Sequence, residues 1–507
     1  MSAHDSGAVD SRSRTGAGGD TALILALGLG ATVVAMTHTL VIPITGLMQH
    51  QLHATASGIS WVTTATLLSA AVFTPLLGRF GDQHGKRSTL LGLLAAAVVG
   101  ALLGAWSGSL GWLIAGRVLQ GAATAVFPLA LSILREEVNP RRLPGAMAVV
   151  SGSLAFGSGL SYVLTGLLTR DANADYRTVF WLAAGLSAVA LAAAAVFVQH
   201  TRIRPGGRTD FLGALTLAAF LVLLLLPVSQ GNRWGWTSAA TLSCFAVAVL
   251  VLPLWVTTER RVKEPMVDLR MFLRRPILMT NLAGLFVGFA MFAQFLGVAV
   301  LAQAPEHVTA YGFGESILKT SMAYLLPSST AALIASQFGG RIIHRVGARS
   351  TLLGSGALGC TGFVWLAAFH SIPASVIGAA VVLGIAVSLG YAAMPALIVA
   401  NVPLSQTGVA NGINSISRSS GGAIGSAVVA TLLASRTAVG LRPGASVLPA
   451  ESQITWTFAL GAIAFAAVTL IASVGLMRAS GRTTDVAGRA VVDRVSAVAA
   501  ARQRSGA

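Results

Sequence analysis

The sequence predicts an all-α membrane protein with fourteen transmembrane helices. Of its 507 residues, 54% are hydrophobic and only 10% are charged, too few polar side chains to cover several soluble domains. Apolar runs of about 20 residues, the length at which a helix crosses a bilayer, recur from one end of the chain to the other. We expect each run to be helical, because an open strand edge would leave backbone groups unpaired in lipid.

The apolar runs define the expected elements in chain order. The predicted spans are 22–46, 58–77, 88–106, 111–134, 145–168, 178–198, 211–229, 238–257, 277–303, 315–338, 350–369, 373–400, 408–434 and 455–477. The first run is too long for the hydrophobic core of a signal peptide, so we interpret it as an uncleaved span.

The net charge of +17 is explained by where the basic residues fall. A strongly basic protein can bind nucleic acid, but the cytoplasmic loops of membrane proteins also collect Lys and Arg. With the N-terminus inside, 26 Lys and Arg residues fall in inside segments, five in outside segments and three within spans. This bias predicts both termini in the cytoplasm, a lipid bilayer around the protein and no nucleic-acid partner.

An internal repeat organises the spans. The segment GRFGDQHGKRSTLLG (78–92) matches GRIIHRVGARSTLLG (340–354) at nine of fifteen positions, and the match continues through spans 2–5 and 10–13. Eight spans separate the copies, so both have the same orientation, as in transporters with a cavity between parallel halves. The expected parts are a disordered cytoplasmic tail (1–20), a six-helix bundle (21–200), two linking helices with a basic loop (201–275), a second six-helix bundle (276–478) and a cytoplasmic tail (479–507).

Several motifs resemble those of the major facilitator superfamily. GRFGDQHGKRSTL (78–90) resembles its signature loop between spans 2 and 3, and RVLQGAATA (117–125) is similar to its span-4 motif. The segments 61–79 and 407–428 resemble the branch of drug:proton antiporters with fourteen spans. Five residues match the glycine, aspartate and basic positions of the signature loop: Gly78, Asp82, Gly85, Lys86 and Arg87.

The resemblance implies a secondary transporter of the bacterial plasma membrane and not an enzyme. A protein of this branch exports small amphiphilic molecules, such as drugs, antibiotics or secondary metabolites, by alternating access. It needs no cofactor, takes its energy from the proton gradient and is expected to be a monomer.

Two departures from the branch concern proton coupling. The glycine- and proline-containing element of span 5 is reduced to SYVLTG (161–166), which keeps only Gly166, and the surrounding small residues also suit close helix packing. The aspartate typical of span 1 is absent from AMTHTLVIP (35–43). No Asp or Glu lies deep in any predicted span, although proton-coupled transporters usually use a membrane-buried carboxylate.

The resemblance assigns a gating role to the loop between spans 2 and 3. Its candidate residues are Gly78, Arg79, Asp82, Gly85, Lys86 and Arg87. We expect the basic residues to set orientation or support the turn, and the glycines to permit a tight turn and close helix approach. Asp82 is expected at the start of span 13, near Gly408, where a carboxylate is favourable at a helix N-terminus. The repeat aligns Asp82 with His344, so only one copy carries this contact.

Three residues are candidates for a proton relay or the cavity: Arg117, Gln120 and His38. Arg117 within span 4 either holds neighbouring helices or faces the transport path, and the repeat aligns it with Ala380. His38 is the titratable group left in span 1, and a lone histidine there is either a packing residue or a proton carrier. Our hypothesis is that His38, or Asp82 with Arg117, carries any proton coupling.

The expected substrate cavity is cationic. Its candidate residues are Gln294, Tyr324, Tyr391, Asn414 and Arg418. Two intramembrane arginines without a fixed anion favour neutral or anionic amphiphiles over dications.

Other classes of function fit the sequence less well. The nearest segment to a P-loop, GDQHGKR (81–87), has three residues instead of four between its glycines and Arg in place of Ser or Thr, which argues against an ATP-driven pump. No metal-ligand or catalytic-triad spacing is present. The remaining alternative is an uncoupled facilitator or importer of a small metabolite with the same fold.

Overall fold

In a computed structural model, the described residues are 17–171, 174–199, 210–262, 269–305, 311–403, 406–436 and 449–476. The predictions for the C-terminal tail, for most of the N-terminal tail and for part of the basic loop before span 9 fall outside these residues.

Fourteen long helices make up the described parts of the chain, which confirms the predicted fold class. They are α1 (Ala17–Thr39), α2 (Ala56–His84), α3 (Lys86–Trp106), α4 (Leu110–Glu137), α5 (Leu143–Leu168), α6 (Arg177–Phe197), α7 (Phe211–Trp234), α8 (Ala239–Arg261), α9 (Arg275–Gln303), α10 (Ile317–Thr320 continuing as Leu326–Val346), α11 (Ala348–Ala368), α12 (Pro373–Val399), α13 (Thr407–Ser435) and α14 (Glu451–Leu470). Shorter helical segments lie at Thr45–Gln51 and Leu269–Phe272, and a π-helical turn at Ser321–Leu325 joins the two parts of α10.

By length and composition, twelve of the described helices are long and apolar enough to cross a membrane. The other two, α10 and α13, are less apolar. Both carry buried polar side chains on the faces that they turn to other helices, such as Ser328 and Ser336 in α10 and Asn411 in α13. Because these groups meet protein and not lipid, they are compatible with a spanning helix despite its lower average hydropathy.

The internal repeat is visible as two equivalent hinges. Helices α2 and α3 meet at Gly85 (φ 124°), and α10 and α11 meet at Gly347 (φ 84°), both in a region of backbone space that favours glycine. Two residues further on, Arg87 donates to the carbonyls of Val198 and Ala195 at the end of α6 (2.6 and 2.8 Å).

Arg349 makes the matching contacts in the second copy. It donates to the carbonyls of Ala472 and Ser473, in the helical segment that follows α14, at 2.9 and 2.8 Å. Each arginine therefore satisfies carbonyls that the end of a helix leaves without intrahelical partners.

The structure corrects one boundary of the signature loop. Helix α2 continues through His84, so Arg79 and Asp82 are helical residues, and the connection to α3 is Gly85 alone. Gly85 is the first residue in this stretch to leave helical backbone geometry. Its N–H still bonds the Gly81 carbonyl.

Two groups of helices pack around separate apolar cores. Helices α1–α6 surround two clusters of buried residues, and α9–α14 surround a third. The groups meet where α5 packs along α10 and where α2 packs against α13, and the α7–α8 pair lies against α2 and α13. The small residues of α5 permit this approach, since a Cβ at Gly152 would lie 2.1 Å from the Cβ of Ser336.

Candidate functional site

A cavity of about 460 Å³ lies between the two groups of helices. We call the side of the molecule that carries the Gly85 and Gly347 hinges the basic face. The cavity begins at mid-depth near Phe127 and Ser415 and extends towards the opposite face, as far as Thr45 and Ala430. Its wall combines apolar side chains with hydroxyl groups, and no Asp or Glu is among its described lining residues.

Arg117 lies on the cavity wall and joins three helices. Its side chain is 1% exposed, and its guanidinium donates to the carbonyls of Thr37 in α1 (2.6 Å) and Val62 in α2 (3.2 Å). It also donates to Oε1 of Gln120, one turn further along α4, at 2.5 Å. The guanidinium therefore holds α1, α2 and α4 together at the cavity wall, and a role in transport stays a prediction.

His38 lines the cavity, whereas Gln120 does not. The Nε2 atom of His38 is buried and has no hydrogen-bond partner among the described residues. Gln120 is fully buried behind Arg117 and acts on the cavity only by fixing that guanidinium.

Arg418 forms the cationic floor of the cavity. Its guanidinium carbon lies 4.9 Å from the ring centres of both Phe127, in α4, and Tyr391, in α12. Its Nη1 donates to Asn414 Oδ1 at 2.5 Å, and Asn414 in turn donates to Asn281 Oδ1 at 3.1 Å. The guanidinium therefore contacts two aromatic rings, one from each group of helices.

Three of the residues predicted for the cavity lie elsewhere. Gln294 is buried among α9, α10 and α12, where it donates to Ser328 Oγ at 2.9 Å, beside a separate void of about 10 Å³. Tyr324 stacks on Phe313 with ring centres 5.7 Å apart and does not reach the cavity. Asn414 lies behind Arg418 and is not on the wall. Gln294 and Asn414 bond to neighbouring helices and Tyr324 stacks on an aromatic ring, so a contact of these three with substrate stays a prediction.

The basic face is closed by Asp82. This carboxylate is 3% exposed, and its Oδ2 accepts a hydrogen bond from the backbone N–H of Gly408, at the start of α13, at 3.1 Å. Oδ1 accepts from Ser132 Oγ at 3.0 Å and lies 3.4 Å from Lys86 Nζ. A Cβ at Gly78 would lie 3.2 Å from the Gly408 carbonyl oxygen, so glycine permits the close approach of α2 to α13.

Lys86 belongs to this buried cluster and is not a solvated loop charge. It is 4% exposed and bonds Glu136 at the end of α4 as well as approaching Asp82. One ammonium group thus serves two carboxylates. The remaining stabilisation of Asp82 comes from Ser132 and from the positive end of α13, which lies across the boundary between the groups.

The comparisons with known proteins agree with this architecture. The family model described as Major Facilitator Superfamily matches residues 27–426 and 308–500. The chain belongs to the Major Facilitator Superfamily.

Bacterial members of the superfamily are similar to most of the chain. The tetracenomycin C resistance and export protein of Streptomyces glaucescens is 28% identical over 423 residues, which are 82% of this chain and 76% of that protein. The cephamycin export protein CmcT of Amycolatopsis lactamdurans is 28% identical over 426 residues, 82% of this chain and 85% of its own. The uridine/deoxyuridine transporter of Lactococcus lactis subsp. cremoris is 28% identical over 366 residues, 68% of this chain and 74% of its own.

A solved structure of the superfamily shares the fold. The human organic anion transporter MFSD10 (TETRAN) superposes with a TM-score of 0.62 at 17% identity, covering 89% of this chain and 99% of its own. Together with the family match, this shows a multi-pass membrane transporter and excludes the enzyme class.

Sequence reasoning missed Arg135. On the basic face, this residue of α4 makes several hydrogen bonds across the boundary between the two groups of helices. Its guanidinium donates to the carbonyls of Val399 and Val402 (2.9 and 3.0 Å), beside the C-terminus of α12, and to Thr407 Oγ1 at the start of α13 (2.5 Å). The repeat offered a signal for this contact. Arg135 aligns with Ile398 in the second copy, so the fold does not require a basic residue at this position in both copies.

Proposed function

We propose that this protein is a secondary active exporter of small amphiphilic molecules that works by alternating access in exchange for protons. The observation that carries the proposal is the cavity between the helix groups, closed on the basic face by Asp82 and Arg135 and extended towards the opposite face. With the basic face in the cytoplasm, as the charge bias predicts, this geometry corresponds to an outward-facing state.

The chemistry of the cavity supports neutral or anionic substrates. Its described lining holds two guanidinium groups, Arg117 and Arg418, and many hydroxyl groups, but no carboxylate that would balance a cationic substrate. The aromatic rings of Phe127 and Tyr391 add apolar surface beside the Arg418 guanidinium, which suits an amphiphilic substrate. The similarity to exporters of tetracenomycin C and cephamycin supports an antibiotic or related metabolite as the substrate.

Proton coupling in this proposal uses the residues named from sequence. His38 is the titratable side chain on the cavity wall of α1, and its buried Nε2 has no hydrogen-bond partner among the described residues. Asp82 and Arg117 are the other candidates. If they carry the coupling, a His38→Ala, Asp82→Asn double variant loses proton-driven export.

Transport into everted membrane vesicles tests the function. We expect energised vesicles that contain the protein to accumulate tetracenomycin C, and a protonophore to abolish the accumulation. The uptake rate of an Arg418→Gln variant should be about tenfold lower, which corresponds to a loss of roughly 1.4 kcal/mol of substrate-binding free energy. Arg141→Gln, on the exposed basic face, is the matched control. Accumulation of dicationic compounds in preference to anionic ones would contradict the proposed substrate class.

A second candidate, an uncoupled facilitator or importer, is supported by the similarity to the uridine/deoxyuridine transporter and by the absence of a carboxylate from the described cavity wall. In the same vesicles, a facilitator would equilibrate radiolabelled uridine to equal concentrations regardless of the protonophore. Uphill accumulation that the protonophore removes excludes this alternative.

A further inference from the structure

Helix α7, assigned to a linker from sequence, contributes to the cavity wall. Val228 and Ser229, near its end at the opposite face, lie on the lining beside residues of α2 and α13. Before Ser229 the helix is apolar except for Thr216, and it packs on both α2 and α13. A linker that only joined the two bundles would not need to reach the cavity.

A polar contact fixes α7 to α2 at the depth of the cavity. The hydroxyl oxygens of Ser229 and Thr64 are 2.8 Å apart. Gln230, 1% exposed, donates through Nε2 to Thr64 Oγ1 and pairs with Ser60 Oγ, both at 3.2 Å. Polar groups buried between membrane helices are costly unless they are paired, so this amide and these hydroxyls favour one position of α7 along α2.

Closer to the basic face, the contact of α7 is apolar. Leu217, Leu221 and Leu225 pack with Ala71 of α2 and Val409 of α13 in one buried cluster. There α2 and α13 also touch each other, at Gly78 and Gly408. Further from that face both helices line the cavity, and α7 covers the space between them on the side away from α5 and α10.

We propose that α7 is a structural wall of the cavity, which excludes lipid chains from the gap between α2 and α13 and presents Ser229 to the substrate. The exclusion of lipid depends on geometry alone. The contact with substrate also rests on the proposed function, because it requires the transported molecule to occupy this cavity. The contact with α2 lets α7 move with the first helix group while it slides over α13.

Thiol labelling tests the wall without a transport assay. In a background that replaces the free cysteines (Cys244→Ala, Cys360→Ala), Ser229→Cys is compared with Ser243→Cys in the full-length protein reconstituted into phosphatidylcholine vesicles. Ser243 is the matched control, a serine at similar depth on the exposed outer surface of α8. A thiol in a water-filled cavity ionises and reacts, whereas one in lipid stays protonated, so we expect methanethiosulfonate ethylsulfonate to modify Ser229→Cys about tenfold faster or more.

Equal modification rates at the two positions would overturn the proposal. A second measurement places a bimane fluorophore at Ser419→Cys, on the cavity wall of α13, in vesicles of brominated phosphatidylcholine. The label should be quenched little with the contact intact and at least twofold more when Thr64→Val and Gln230→Leu remove it. Equal quenching in both proteins would show that α7 does not exclude lipid. An inactive protein that gives the expected labelling would refute the proposed function and with it the contact of Ser229 with substrate, but would leave the exclusion of lipid by α7 standing.

Discussion

At the residue scale, the contact between Asp82 and α13 arises because two carboxylates, Asp82 and Glu136, share the single ammonium group of Lys86. Lys86 is shared between Asp82 and Glu136, so the second positive partner of Asp82 is the N-terminus of α13, in the other helix group. When α13 moves away, as alternating access requires, Asp82 loses this partner while remaining in a largely buried site. We therefore propose that the carboxylate stabilises the state in which the basic face is closed.

We predict that Asp82→Asn slows transport by opening this face. Hydrogen bonds to charged groups contribute about 1.5–3 kcal/mol, so the ratio of closed to open molecules should fall by roughly tenfold or more, with a comparable loss of transport rate. Uptake into everted vesicles at matched expression measures the effect. His344→Asn, the exposed position that the repeat aligns with Asp82, is the control and should leave transport within twofold of the unmodified protein. Equal rates for the two variants would exclude a gating role for Asp82.

The sequence predicted the position of Asp82 better than those of the cavity residues. The motif and the repeat together placed the carboxylate near Gly408, and the contact is present. The contacts of Gln294 and Arg135 did not follow from the sequence for one physical reason: a long polar side chain can reach several neighbours, and only the packed helices decide which of them it meets. Gln294 donates to Ser328 within its own helix group, whereas Arg135 reaches across to α12 and α13.

At the element scale, each copy of the repeat is a helical hairpin with a glycine hinge and an arginine that satisfies the end of a distant helix. Thr89 and Thr351 add a further common feature, since each donates to the carbonyl of the hinge glycine at 2.9 Å. Three of the identical residues in each copy, the glycine, the arginine and the threonine, thus build the hinge. The differing residue Asp82 lies on the surface where the two halves meet.

Replacing either hinge glycine should destabilise the fold. We expect Gly85→Ala and Gly347→Ala each to cost about 1–3 kcal/mol, because an L side chain rarely adopts a backbone with positive φ. The midpoint of thermal unfolding in detergent should fall for both.

Gly92→Ala and Gly354→Ala are matched controls for the two hinge variants. They lie seven residues after each hinge, within α3 and α11, where a Cβ would meet nothing within 4 Å. Alanine favours a helix interior by about 0.5–1 kcal/mol, so these variants should unfold at the same or a higher temperature. A hinge variant as stable as its control would contradict the assigned strain.

At the scale of the whole molecule, the two groups of helices meet along two boundaries that differ in how far their contacts extend. Glycines and serines let α5 and α10 pack along their length, so this boundary is a continuous contact. The α2–α13 boundary is tight only near the basic face, where Asp82 and Arg135 join the two groups. The second boundary is therefore the one that we expect to open and close.

The predicted orientation places the basic face in the cytoplasm, and cysteine labelling tests it. In the background without Cys244 and Cys360, Ser109→Cys lies at the opposite face, where this serine begins α4 without a capping hydrogen bond. His84→Cys lies on the exposed basic face beside the Gly85 hinge. An impermeant maleimide should label Ser109→Cys in intact cells and His84→Cys only after the membrane is permeabilised. The reverse pattern would invert the orientation and the direction of export that we propose.

The sequence by itself determined the number of helices, their internal repeat and the family. These properties depend on local hydrophobicity and on residues of one hairpin, which short segments record independently of the rest of the chain.

The tertiary structure alone decided which polar side chains face the cavity. Arg418 lies on the cavity floor against Phe127 and Tyr391, which belong to two other helices, and Asn414, which accepts its hydrogen bond, lies behind it. It likewise brought Ser229 of a linking helix onto the wall. Such positions depend on how several helices pack at once, and no single stretch of sequence contains that information.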